Sequence, residues 1–249
     1  MALAPLGTTQ LKLDTFGRHM VNVASEFATV YLILSSSAET RGVDAFALSV
    51  IKAERQIRKL FTHLVYQFPA FGPSDFARLR NTLAASHRVY FESFLAGFDA
   101  LYPRSVEALV GQDYARLKPR LDEAIDHRNK MFHGQLTSRG LTCQDLEALV
   151  ADIQAWCTTL AVNAFAELGY DGFGWNSLHK SNIPDLAARF KVQLTSLADY
   201  ADFLRARMER RAAAQAVPPG TPSLPSVTRA VAGERQRSPD RMGRPPDVE

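Results

Sequence analysis

Apolar side chains recur at intervals of three and four residues in one run after another between residues 14 and 210, and no stretch alternates apolar with polar at a period of two. A chain patterned this way has one stripe per helix and no strand faces, so it can bury its apolar surface only by packing helix on helix. The pattern predicts an all-α fold, a helical bundle of about five to six helices over residues 14–211, followed by a disordered Pro/Arg-rich tail over 212–249. From about Ala212 the composition turns to Pro, Gly, Ser and Arg with almost no bulky apolar residue, too little to fold alone.

In chain order, a first helix is expected from about Asp14 to Leu34. A second, from Val43 to Gln67, turns Phe46, Val50, Ile57, Phe61, Leu64 and Phe68 inward and Lys52, Arg55, Lys59 and His63 outward. A third runs from Phe76 to Leu101 with His87 on its apolar stripe, where a histidine is usually bonded to a backbone carbonyl; a second site histidine is the sharper reading. A short piece around Val106–Val110 precedes a helix with Pro119 near its start. Thr142 with Asp145 three residues on forms a capping box that opens a long helix to Leu168. The run Gly169 to Trp175 is a turn that tucks rings under the bundle, with base stacking on Tyr170 or Trp175 as its alternative. A last helix spans Pro184 to Arg210.

The chemistry concentrates in one of these helices. Its apolar positions Tyr114, Leu117, Leu121 and Ile125 continue in rhythm onto Arg128 and Phe132, which turns an arginine toward the buried side. Desolvating an unpaired guanidinium costs several kcal/mol, so such an arginine is either paired or lines a site. Gly134 suits a helix end, placing His133 in the last turn beside unsatisfied carbonyls and the negative end of the helix dipole, where a cationic ring is favoured. A histidine can exchange protons near neutral pH and an arginine clamps phosphate through its planar fork. His127 is expected to be exposed, and Asp126 with Lys130 is spaced for an i,i+4 pair.

The segment Arg128, Asn129, Lys130-Met131-Phe132, His133 resembles the signature of the HEPN superfamily of α-helical nucleotide- and RNA-handling domains: arginine, a polar residue, a short spacer, then histidine near a helix end. The spacing also occurs from Arg58 to His63 and, in a longer form, from Arg120 to His127. Only Arg128 combines the following Asn, the buried phase and the helix-ending Gly.

That resemblance implies a metal-independent endoribonuclease. Arg128 would hold the charge on the phosphate oxygens, Asn129 would position one of them, and His133 would serve as acid and base. One histidine is short of two proton transfers, and the family supplies the second by a homodimer whose two motifs face one groove. Similar members are toxins of toxin–antitoxin or phage-defence systems with a protein antitoxin partner. In one subgroup the partner modifies a tyrosine two residues after the histidine; Gln135 stands there in this chain, which puts that control in doubt. The alternative is a non-catalytic helical RNA- or protein-binding module in which Arg128 is ion-paired in the core. The two readings separate on Arg128: opening onto a cleft favours the enzyme, sealing against an acid favours the module.

Charge adds a candidate RNA path. The net charge is only +3, yet residues 51–90 hold seven Lys or Arg against two acids. Lys52, Arg55 and Lys59 from this strip, with Lys130, are the candidate substrate-binding residues, against the plainer reading of a solvated helix face. Cys143 and Cys157 fit no zinc spacing, so neither a metal nor a cofactor is expected. The most apolar stretch, Val21–Leu34, contains Glu26 and is too short to span a bilayer, so no membrane association and a cytoplasmic location are expected.

Overall fold

A computed structural model describes residues 22–86, 90–135, 140–174 and 176–209, all within the compact unit Met1–Ala216. Expectations for residues 14–21, His87, Trp175 and the tail 212–249 lie outside the described residues.

The described residues are all-α, without a strand. Helix α1 (Asn22–Leu34) is followed by α2 (Arg41–Gln67), α3 (Phe76–Ala85), α4 (Phe91–Leu101), α5 (Val106–Val110), α6 (Tyr114–Phe132), α7 (Cys143–Leu168) and α8 (Leu197–Leu204), with short 3₁₀ turns between some of them. The helices are more numerous and shorter than the stripes suggested. The expected third helix is two, α3 and α4, and the expected last helix is a 3₁₀ turn at Leu186–Arg189 plus α8, which continues as a π turn over Arg205–Glu209. α6 begins at Tyr114, so Pro119 lies inside it rather than near its start.

The long helices α2 and α7 form the centre. Gly42 lies against Cys143, Gln56 Nε2 donates to the Cys157 carbonyl at 2.9 Å, and His63 sits 3.4 Å from the Leu168 carbonyl, so the two helices run in the same direction. α6 runs the other way along α7: Tyr114 packs on Trp156 while Arg120, further along, reaches Asp152. The apolar stripes expected of α2 and α7 are buried, including Phe46, Val50, Ile57, Phe61 and Leu64 on α2 and Leu146, Ile153, Trp156 and Leu160 on α7. The Thr142–Asp145 capping box is present in both directions. α7 is long and apolar enough to cross a membrane by length and composition, and it packs here as the core helix between α2 and α6.

α2 is enclosed on more sides than a single stripe requires, and this corrects the expected outward face. Lys52 is 9% exposed and His63 is fully buried. Because the segment after α7 folds back along α2, its carbonyls need donors there. His63 Nδ1 meets the Ser177 carbonyl at 3.1 Å and Gln67 Nε2 donates to the His179 carbonyl at 3.0 Å. The Tyr170 ring packs 4.8 Å from His63 and is buried, which is the tucked turn expected from the sequence.

The candidate site at the end of helix α6

α6 stops where Gly134 adopts a left-handed φ of 64°. The Gln135 N–H returns to the Lys130 carbonyl and the Gly134 N–H to the Met131 carbonyl, a Schellman closure that satisfies two of the helix's last acceptors. His133 is the C-cap residue and is exposed. Asn129, one turn earlier, is exposed too, and its carbonyl accepts the His133 N–H at 3.1 Å. The two side chains therefore share one wet ridge.

Arg128 turns the other way. Its Nη2 donates to the Glu54 carboxylate on α2, its side chain is 17% exposed, and its Nε is buried without a hydrogen-bond partner among the described residues. Arg128 thus sits against an acid, as the binding-module reading requires, and does not converge with His133. The pair is poorly compensated. Burial raises the Glu54 carboxyl above its ordinary range, outweighing the opposing pull of Arg128 and, more weakly, of Arg58.

The buried register of α6 runs Leu117, Leu121, Ala124 and His127, so the stripe drifts away from the expected Phe132. Phe132 is 62% exposed and lies beside the Arg128 guanidinium, 5.7 Å from ring centroid to Cζ. His127, expected in water, is buried, with Nε2 3.4 Å from Glu123 and Nδ1 lacking a partner among the described residues. One turn before Glu54 on α2, Ile51 is 44% exposed. An exposed apolar side chain therefore flanks the ion pair on each helix.

The candidate substrate-binding cations are dispersed. Lys130 pairs with Asp126 at 2.7 Å, as its spacing predicts. Arg55 pairs with Glu26 at 2.9 Å. Lys59 donates to the Phe173 and Gly174 carbonyls, and burial, followed by neighbouring Arg55, lowers its pKa. Lys52 lies inside the bundle near Cys157. The structure gathers Arg128, Asn129, Lys130 and His133 at one helix end and leaves Lys52, Arg55 and Lys59 along α2. Glu54 was missed by sequence reasoning, because one acid among many bases reads as surface charge. No group of three or more His, Cys, Asp or Glu suited to a metal occurs among the described residues.

Comparison with protein families, curated proteins and solved structures found no match to this chain. The family resemblance therefore rests on the residues at the end of α6.

Proposed function

We propose that this protein is a metal-independent endoribonuclease of the HEPN type, acting as a homodimer in a toxin–antitoxin or phage-defence setting. The observation that carries the reading is the end of α6, where exposed Asn129 and His133 share one ridge beside Arg128, whose buried Nε has no hydrogen-bond partner among the described residues. An arginine kept for stability alone is expected to have its fork filled, since a buried unmet donor costs free energy.

In the proposed reaction the ribose 2′-oxygen attacks the adjacent phosphorus and the bond to the 5′-oxygen breaks. One His133 takes the 2′-hydroxyl proton and the second copy's His133 gives a proton to the leaving oxygen. Arg128, released from Glu54 by the more strongly attracting phosphate, balances the charge on the transition state, and Asn129 bonds a non-bridging oxygen. The products are a 2′,3′-cyclic phosphate and a 5′-hydroxyl. The exposed Phe132 and Ile51 supply apolar area for pairing two copies at this end of the molecule.

Sedimentation of the purified chain beside Phe132→Asp tests the dimer. The expected outcome is a dimeric parent, a monomeric variant and loss of RNA cleavage with the dimer. A monomer that cleaves RNA contradicts the shared groove.

The Arg128–Glu54 contact itself favours a second reading, a helical RNA- or protein-binding module without cleavage. On that reading the pair is structural, and its removal costs stability rather than activity.

A further inference from the structure

A cleft of about 420 Å³ opens one turn of α2 beyond Glu54, lined by Arg58 and Lys59 of α2, Leu79, Arg80 and Leu83 of α3, and Phe94 of α4. This size falls within the roughly 300–1,000 Å³ of small-ligand sites. Its chemistry is divided. Among the described residues three cations and no acid line it, three hydroxyls stand among them, and Leu79, Leu83 and Phe94 form an apolar side.

Two of the three cations are left over from the internal ion pairs of the described residues. Arg55, Arg104, Arg120 and Arg128 each close on a carboxylate. Among the described residues Arg58 and Arg80 form no ion pair, and both are exposed at the cleft. Lys59, held by two carbonyls, adds charge from behind. Like charges brought to one concave site repel, and a bound anion reverses that cost. A bare anion needs no apolar wall, and a lipid chain needs no row of hydroxyls. The combination suits a ligand with a phosphate at one end, a polar sugar in the middle and a flat, weakly polar ring at the other.

We infer that this cleft is a nucleotide-binding site, with the phosphate on Arg58 and Arg80 and the base against Leu79, Leu83 and Phe94. Ser177 offers its hydroxyl to the sugar and base edges, and Thr62 and Ser86, which donate to the Arg58 and Thr82 carbonyls, offer acceptor oxygens. The nucleotide comes either free or as one residue of an RNA strand. The site stands on its own lining and does not depend on the ribonuclease reading; Arg58, next along α2 from Glu54, links the two only by position.

The test is binding of AMP, of inorganic phosphate and of a short single-stranded RNA with 2′-O-methyl groups to the full chain, followed by calorimetry. The expected result is saturable binding of AMP or of the RNA, weakened about tenfold or more in Arg80→Ala and in Arg58→Ala, the loss of one charge-assisted contact. Both arginines are exposed, so neither variant removes core packing. Leu83→Ala is expected to weaken AMP several-fold and leave phosphate unchanged. AMP binding identifies a free nucleotide as the ligand, and RNA binding alone identifies a nucleotide within a strand. Phosphate binding as tight as AMP, or affinities unchanged in both arginine variants, overturns the inference. Cleavage lost in His133→Ala with nucleotide binding intact keeps the two readings separate, as does binding by a protein that never cleaves RNA.

Discussion

Arg128, in the last turns of α6, donates to Glu54 in the middle of α2, joining two helices across 74 residues of chain. The bond is neither sealed nor open. The side chains are 17% and 31% exposed, and the carboxyl is raised by burial more than the arginine lowers it. A contact so poorly compensated is weak evidence for a structural role.

Replacing Arg128 by Ala is accordingly predicted to cost about 1–2 kcal/mol in urea unfolding, between exposed and fully buried ion pairs. Glu54→Gln should be close to neutral, because the burial cost of the charge goes with it. A loss of roughly 3 kcal/mol or more in Arg128→Ala is the signature of a stranded buried charge and supports the binding-module reading instead.

His63 should make stability depend on pH. Burial first, and the neighbouring His179 second, lower its pKa from 6.5 to about 4. The unfolded chain binds that proton at higher pH than the folded one, so the contribution of His63 is fully present above pH 6.5. It is lost as pH falls from 6.5 toward 4, and is constant below. Over that window the loss is roughly 3 kcal/mol. Unfolding free energies of the parent and His63→Gln, measured from pH 7 to 4, are expected to show the steeper decline in the parent; parallel curves contradict the buried neutral ring.

Gly172 is predicted to be intolerant of any side chain. Its φ is +84°, and a Cβ would stand 2.7 Å from Gln56 Cγ and 3.1 Å from the Gln56 carbonyl oxygen. Left-handed strain and overpacking together make Gly172→Ala cost about 2–4 kcal/mol, to be read by chemical denaturation. An effect under 1 kcal/mol would mean that the turn relaxes freely from α2.

The fold class was legible because the apolar stripes of α2 and α7 have one period throughout, and Thr142 with Asp145 marks a helix start by direct hydrogen bonding. The end of α6 was legible for the same reason: Gly134 is the left-handed residue that a Schellman closure needs. What a stripe does not reveal is how many sides of a helix are covered. His63 and Lys52 looked outward because sequence shows neither α7 nor the returning segment behind it. Phe132 looked inward and His127 outward because extending a period assumes one fixed face, whereas the buried register of α6 runs through Leu117, Leu121, Ala124 and His127. Glu54 and the Arg58–Arg80 cleft join residues far apart in the chain, which no local pattern encodes.

The most direct measurement is cleavage of a mixed-sequence RNA in EDTA by the purified protein beside His133→Ala, with the product ends analysed. The account predicts cleavage by the parent alone, leaving 2′,3′-cyclic phosphate and 5′-hydroxyl ends. An intact dimer that leaves the RNA whole, or a His133→Ala variant that cleaves as well as the parent, contradicts it.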